Sequence, residues 1–111
     1  MEDIKEKSAD EIFKILDYEC EIKPIINGGI FDFGYYHIYT HTRYSECDGC
    51  ETEYVKEIIF LNHIKRPEHN AIMARSKYKN NYEDNYTYED CLHLGVEELK
   101  AINKKIEELG W

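Results

Sequence analysis

Long apolar runs are missing from this 111-residue chain. None approaches the roughly 20 residues that a membrane helix requires. The first residues, Met-Glu-Asp-Ile-Lys-Glu-Lys, are mixed in charge and lack an apolar stretch, so no signal peptide is read and the cytoplasm is the expected compartment. Positive charge is in short supply: 14 Lys and Arg face 23 Asp and Glu, a net charge of −9. That balance argues against independent nucleic-acid binding, which draws most of its affinity from phosphate contacts. It suits a basic partner surface. There is no internal repeat, no low-complexity tract, and no glycine loop before a helix that would cradle a phosphate. A chain of this length supports one domain with a modest core and little cleft for catalysis.

What is present is aromatic, above all tyrosine, at ten residues. Aromatic content of 14% excludes a disordered acidic tail. Ser8 followed by Glu11 reads as a capping box, with Ala9, Ile12, Phe13, Ile15 and Leu16 at helical spacing up to about Asp17. Cys20 to Ile26 reads as a strand that Pro24 places at a sheet edge. Asn27-Gly28-Gly29 is a hairpin turn signal. Ile30 to Thr42 is then a long strand with Phe31, Phe33, Tyr35, His37, Tyr39 and His41 on one face. Arg43 to Glu53 reads as a loop. Tyr54 to Asn62, Ala71 to Tyr78 and Tyr86 to Leu94 read as further strands, with Pro67 breaking the chain between the first two. Val96, Leu99, Ile102, Ile106 and Leu109 form the stripe of a closing helix, with Gly110 at its stop. The expected fold is α+β: an antiparallel meander of three to five strands, flanked by an N-terminal and a C-terminal helix, with a zinc-knuckle-like loop.

The four cysteines are Cys20, Cys47, Cys50 and Cys91. In a reducing compartment a metal is a better use for them than disulfides. Cys47-Asp48-Gly49-Cys50 has the spacing for two thiolates on one zinc ion, which wants four ligands. His41 and Cys91 are the candidates to complete the set, with Cys20, His37 and His93 as alternatives. Four protein ligands would leave no open position for water, so such a zinc is structural. A thioredoxin-like role fits less well, because that motif opens a helix. Cys91 with a nearby histidine lacks an orienting third group, and no enzymatic activity is expected.

Charge is segregated. From Asn80 to Leu99 there is no Lys or Arg, whereas Glu83, Asp84, Glu89, Asp90, Glu97 and Glu98 are present. A second acidic cluster, Glu46, Asp48, Glu51 and Glu53, surrounds the cysteine pair, and Lys65, Arg66, Arg75, Lys77 and Lys79 lie between the two. Glu83, Asp84, Tyr86, Tyr88, Glu89 and Asp90 are the expected partner-binding residues, because tyrosine adds rigid contact area to the charge. If the basic residues instead formed one face, the chain would read as a small zinc-ribbon-like module for nucleic acid or a transcription partner.

Two segments carry a resemblance. Ser8 to Glu19 (SADEIFKILDYE) resembles the opening helix of small proteins from phages and mobile elements of Firmicutes, and Glu97 to Trp111 (EELKAINKKIEELGW) is similar to their closing helix. Together with the acidic, tyrosine-rich surface and the cysteine pair, the chain looks like a type II anti-CRISPR protein. That resemblance implies a stoichiometric inhibitor that binds a basic surface of the CRISPR nuclease of the bacterial host and blocks target DNA loading.

Overall fold

Ser8 opens the first helix by bonding its own turn. The Glu11 amide donates to Ser8 Oγ, and the Ser8 amide donates to Glu11 Oε1, both at 3.1 Å. The computed structural model describes residues 7–25, 34–64, 66–89 and 92–111. They form α1 (Ala9–Ile15), β1 (Glu19–Pro24), β2 (Gly34–Cys47), β3 (Cys50–His63), β4 (Ala71–Asn80), β5 (Thr87–Tyr88) and α2 (Val96–Glu108), with a 3-10 turn at Pro67–His69. The five strands make one antiparallel sheet in chain order, β1 to β5, so the α+β meander flanked by two helices is the observed fold. The Asn27-Gly28-Gly29 turn, Phe31 and Phe33 lie outside the described residues.

Between Arg43 and Glu53 the structure departs from expectation: there is no long loop. β2 and β3 run on as 14-residue strands until Cys47 stands directly opposite Cys50. Asp48 and Gly49 alone make the turn, with φ of 51° and 79°. Both values lie in the left-handed region, as the primed turns that join right-twisted strands require. The alternation Thr42, Tyr44 and then Thr52, Tyr54 is strand chemistry, and it carries the ladder out to the turn. β5 is shorter than the expected Tyr86–Leu94, and residues 92–95 carry no strand.

Both helices lie on one face of the sheet. This helix face carries Tyr39 and His41 from β2, Ile58 and Phe60 from β3, and Ala74 from β4, since residues two apart share a face and direct partners match. The Phe13 ring stacks on Tyr39 at 4.0 Å between centroids and meets Phe60 edge-on at 6.4 Å. Tyr39, Ile58 and Phe60 are fully buried there. The Tyr39 hydroxyl donates to Asp10, and Lys105, itself buried, lies 3.9 Å from the same carboxylate. The two helices are joined directly, because the Ala9 amide donates to Glu108 Oε2 at 2.8 Å.

The buried stripe of α2 is not quite the expected one. Ala101, Ile102 and Lys105 are buried, with Ile106 and Leu109 beside them, whereas Val96 and Leu99 are exposed at 68% and 45%. The first turn of α2 stands past the edge of the core. At the other end of the sheet Gly34 permits a close approach: its φ is +145°, and a Cβ there would meet the Asn62 carbonyl oxygen at 1.8 Å.

Because Phe13 contacts Tyr18, Tyr39 and Phe60 together, Phe13→Ala should cost about 3–5 kcal/mol. Urea unfolding of the two proteins measures this, with the loss read at unchanged denaturant slope.

Candidate functional site

The residues expected to bind zinc separate along the sheet. Cys47 and Cys50 are brought together as direct cross-strand partners on the helix face, which Cys47 shares with His41. His41, however, is six residues down the same strand, about 20 Å away at roughly 3.3 Å per residue. It cannot share an ion with those thiols. His93 is equally remote, since its carbonyl accepts from Lys56, the direct partner of His41. Cys20 and His37 are farther still: Cys20 pairs with Tyr39, and His37 with Ile22 and Phe60. Cys91 lies outside the described residues. Among the described residues no three histidines, cysteines or carboxylates are grouped closely enough to hold a metal ion. Sequence proximity misled here because a strand converts every residue of separation into more than 3 Å.

The expected partner-binding residues are also divided. Tyr88 pairs with Lys77 and therefore lies on the face opposite the helices, the open face. Tyr86 joins it: its hydroxyl donates to Glu53, and the Lys77 and Lys79 ammonium groups stand 4.4 and 4.9 Å from its ring centroid. That bond to Glu53 pushes the Tyr86 phenol up to about 12. Glu89 turns to the helix face, where its carboxylate accepts from Ser76 Oγ at 3.2 Å. Glu83 is occupied by the local turn, with its Oε1 accepting from the Asn80 amide at 2.9 Å. Asp84 is exposed, and Asp90 lies outside the described residues.

The basic segment is occupied as well. Arg75 and Lys77 sit 2.9 and 3.6 Å from Glu57 Oε1 on the open face, and Lys77 and Lys79 cover Tyr86. Arg66 is on the far side of the 3-10 turn, and Lys65 lies outside the described residues. Arg75, Lys77 and Lys79 thus share the open face of β4, but Glu57, Glu53 and Tyr86 interleave with them there.

Register creates a site that the linear sequence conceals. Thr52 stands opposite Asn80, and the Asn81 amide donates to the Glu51 carbonyl at 2.8 Å. The β2–β3 turn and the β4–β5 turn thus occupy the same end of the sheet. From Tyr44 to Thr52 and from Asn80 to Asn85 there is no Lys or Arg, but Glu46, Asp48, Glu51, Glu83 and Asp84 are all there. Glu46 and Glu51 are direct cross-strand partners. Like charges so placed destabilise a sheet, and a cationic surface docked over them would relieve the repulsion. Tyr44 and Tyr82 flank this end at 62% and 76% exposure. Tyr44 is steadied by donating to Glu53 Oε2 at 3.1 Å. Parts of two acidic clusters that are separate in sequence therefore form one acidic, tyrosine-bearing end, and only the strand register could have disclosed it.

On the helix face, His41 and Lys56 stand between two adjoining pockets of about 220 and 310 Å³. The first is walled by Arg43, Tyr54, Ser76, Glu89 and His93, and the second by Leu16, Tyr18, Val96 and Glu98. A closed polar network forms the floor. The Lys56 ammonium donates to Glu98 Oε2 at 3.1 Å and to the His93 carbonyl at 2.8 Å. Tyr18 donates to the same carboxylate, and the Gly95 amide donates to its Oε1. Burial works against the ionised Glu98, but these three donors win and hold its carboxyl below the usual range. Burial and that same carboxylate push the Tyr18 phenol up. The network is a structural tie between sheet and α2, with its proton donors already committed.

Comparison with family models, with curated proteins and with solved structures gives no match.

His37 gives a testable pH dependence. Burial, then the positive charge of Lys105, pulls its imidazole below the ordinary 6.5, with Asp10 opposing, and Nδ1 has no hydrogen-bond partner among the described residues. Above pH 6.5 the residue is neutral in both states. Below it the unfolded chain takes up a proton that the folded imidazole resists, so stability falls as pH drops toward the folded pKa. His37→Gln should therefore flatten the stability profile between pH 7 and pH 5.5, as measured by urea midpoints across that range.

Proposed function

We propose that this chain is a stoichiometric protein inhibitor that docks its acidic end on a cationic surface and acts by occupancy, without catalysis. The single observation that carries this reading is the convergence of Glu46, Asp48, Glu51 and Asp84 at one end of the sheet, with Tyr44 and Tyr82 exposed beside them. Charge of one sign on a projecting end favours fast association with an oppositely charged groove, and exposed tyrosines supply contact area at low entropic cost. The terminal-helix resemblance points to the type II CRISPR nuclease as the target, in the cytoplasm of a bacterial host. Its channels for guide and target are positively charged, and an acidic wedge seated there would exclude DNA. Among the described residues no helix is long and apolar enough to cross a membrane.

The division of the acidic segment refines which side chains matter. Tyr86 supports the turn from within, Glu83 holds its backbone, and Asp84 remains available for a partner. Contact is therefore assigned to Asp84 and the β2–β3 tip, with Tyr88 and Glu89 in supporting positions.

The test is a titration of the chain into guide-loaded type II nuclease, reading target cleavage. Inhibition should saturate near one equivalent. The combined reversal Glu46→Lys, Glu51→Lys and Asp84→Lys should weaken it at least tenfold, and more than Cys47→Ser does. Equal inhibition by the reversed protein would overturn the acidic end as the contact surface. No inhibition by the unaltered chain would remove the nuclease as its target.

A further inference from the structure

The cysteine pair is half of something. Cys47 and Cys50 are unoxidised thiols directly opposite each other at the tip of a hairpin. Direct cross-strand partners project to the same side of a sheet, so both thiols face one way. Among the described residues no helix lies over the tip: β1 reaches only as far as Thr40, and the core residues of α1 and α2 pack around Tyr39, Ile58 and Phe60. Cys47 is exposed and Cys50 half-buried, with Asp48 Oδ2 3.8 Å from one sulfur and Asn80 Oδ1 3.8 Å from the other. Two thiolates held at this spacing meet half the need of a zinc ion, which takes four ligands in a tetrahedron. Even with the Asp48 carboxylate beside Cys47, no group of three histidines, cysteines or carboxylates among the described residues is arranged to hold a metal ion.

The distribution of charge across the tip says where the other half comes from. Strand alternation puts Glu46, Glu51 and Glu53 on the open face, with Tyr44. The thiol face carries Arg43, Ser45, Thr52 and Tyr54 instead, and Arg43 lies 4.5 Å over the Tyr54 ring. Two tips meeting thiol face to thiol face would thus keep their strand carboxylates outermost. Apart from Asp48 in the turn, they would bring uncharged and cationic residues toward a centre that carries net negative charge once four thiolates bind one divalent cation.

We propose that two copies of this chain share one zinc ion through Cys47 and Cys50 of each, in a two-fold symmetric four-sulfur site at the hairpin tips. Each thiol releases its proton on binding, so assembly strengthens as pH rises. The site is structural, since four protein sulfurs leave no position for water. It is independent of any nuclease target, because its ligands come from this chain alone.

The experiment is zinc titration of the reduced, metal-free full-length chain, followed by sedimentation equilibrium. The expected result is saturation at half an equivalent of zinc per chain with a twofold rise in mass, reversed by EDTA. Cobalt substitution should give the ligand-field spectrum of a tetrahedral all-sulfur site. Cys47→Ser and Cys50→Ser should each remain monomeric in zinc while keeping the far-ultraviolet circular dichroism of the parent. Cys91→Ser and His41→Ala should dimerise as the parent does. One zinc per chain at unchanged mass would overturn the proposal, as would loss of binding in Cys91→Ser, dimerisation that survives Cys47→Ser, or no zinc uptake.

Discussion

The two-residue turn at Asp48-Gly49 is the constraint on which the remaining placements depend. A β-strand has a side-chain period of two, so a slip of one residue between β2 and β3 would exchange the two faces of the sheet. With the turn as it stands, Tyr39, Ile58 and Phe60 face the helices and Glu46, Glu51 and Glu53 face away. The same turn sets Cys47 against Cys50. Core, acidic end and thiol pair are three results of one pairing, locked by two positive φ angles that Asp and Gly tolerate better than other residues.

On that sheet the helices cover only part of one face. The aromatic group of Phe13, Tyr18, Tyr39 and Phe60 fills the covered part, and its polar atoms are met locally: Asp10 takes the Tyr39 hydroxyl and Glu98 takes that of Tyr18. Elsewhere the sheet is held by side chains lying across it. On the open face, Glu57 with Arg75 and Lys77, and Glu53 with Tyr44 and Tyr86, do for a solvated surface what an apolar layer does for the core. The sequence's segregated charge is thereby largely consumed within the fold, except at the hairpin end, where acids meet no lysine or arginine from their own turns.

The elements most legible from sequence were those with local signals. Ser8 and Glu11 marked the start of α1, the helical spacing from Val96 to Leu109 marked α2, and the alternation through Tyr39 and His41 marked β2. The extent of the hairpin was less legible, because cysteines and acids in Arg43–Glu53 resemble a metal loop until Asp-Gly is given its full weight as a two-residue turn. The site was least legible. Whether His41 lies near Cys47 depends on whether the intervening residues coil or extend, and they extend. Likewise Tyr86 and Glu89 look equivalent in a linear acidic run, yet they leave the chain on opposite faces of the sheet.

The bond from the Ala9 amide to Glu108 joins residues 99 positions apart and has a bearing on synthesis. Strands β1 to β5 pair with their neighbours in chain order and can zip as they leave the ribosome. The helix-facing residues of the sheet have no complete cover until α2 follows. For the interval in between, Phe60 and Ile58 depend on α1 alone to shield them from water and from other nascent chains. Formation of the finished core is therefore timed by the appearance of α2, and a chain truncated before Ala101 would leave a paired sheet with an uncovered aromatic face.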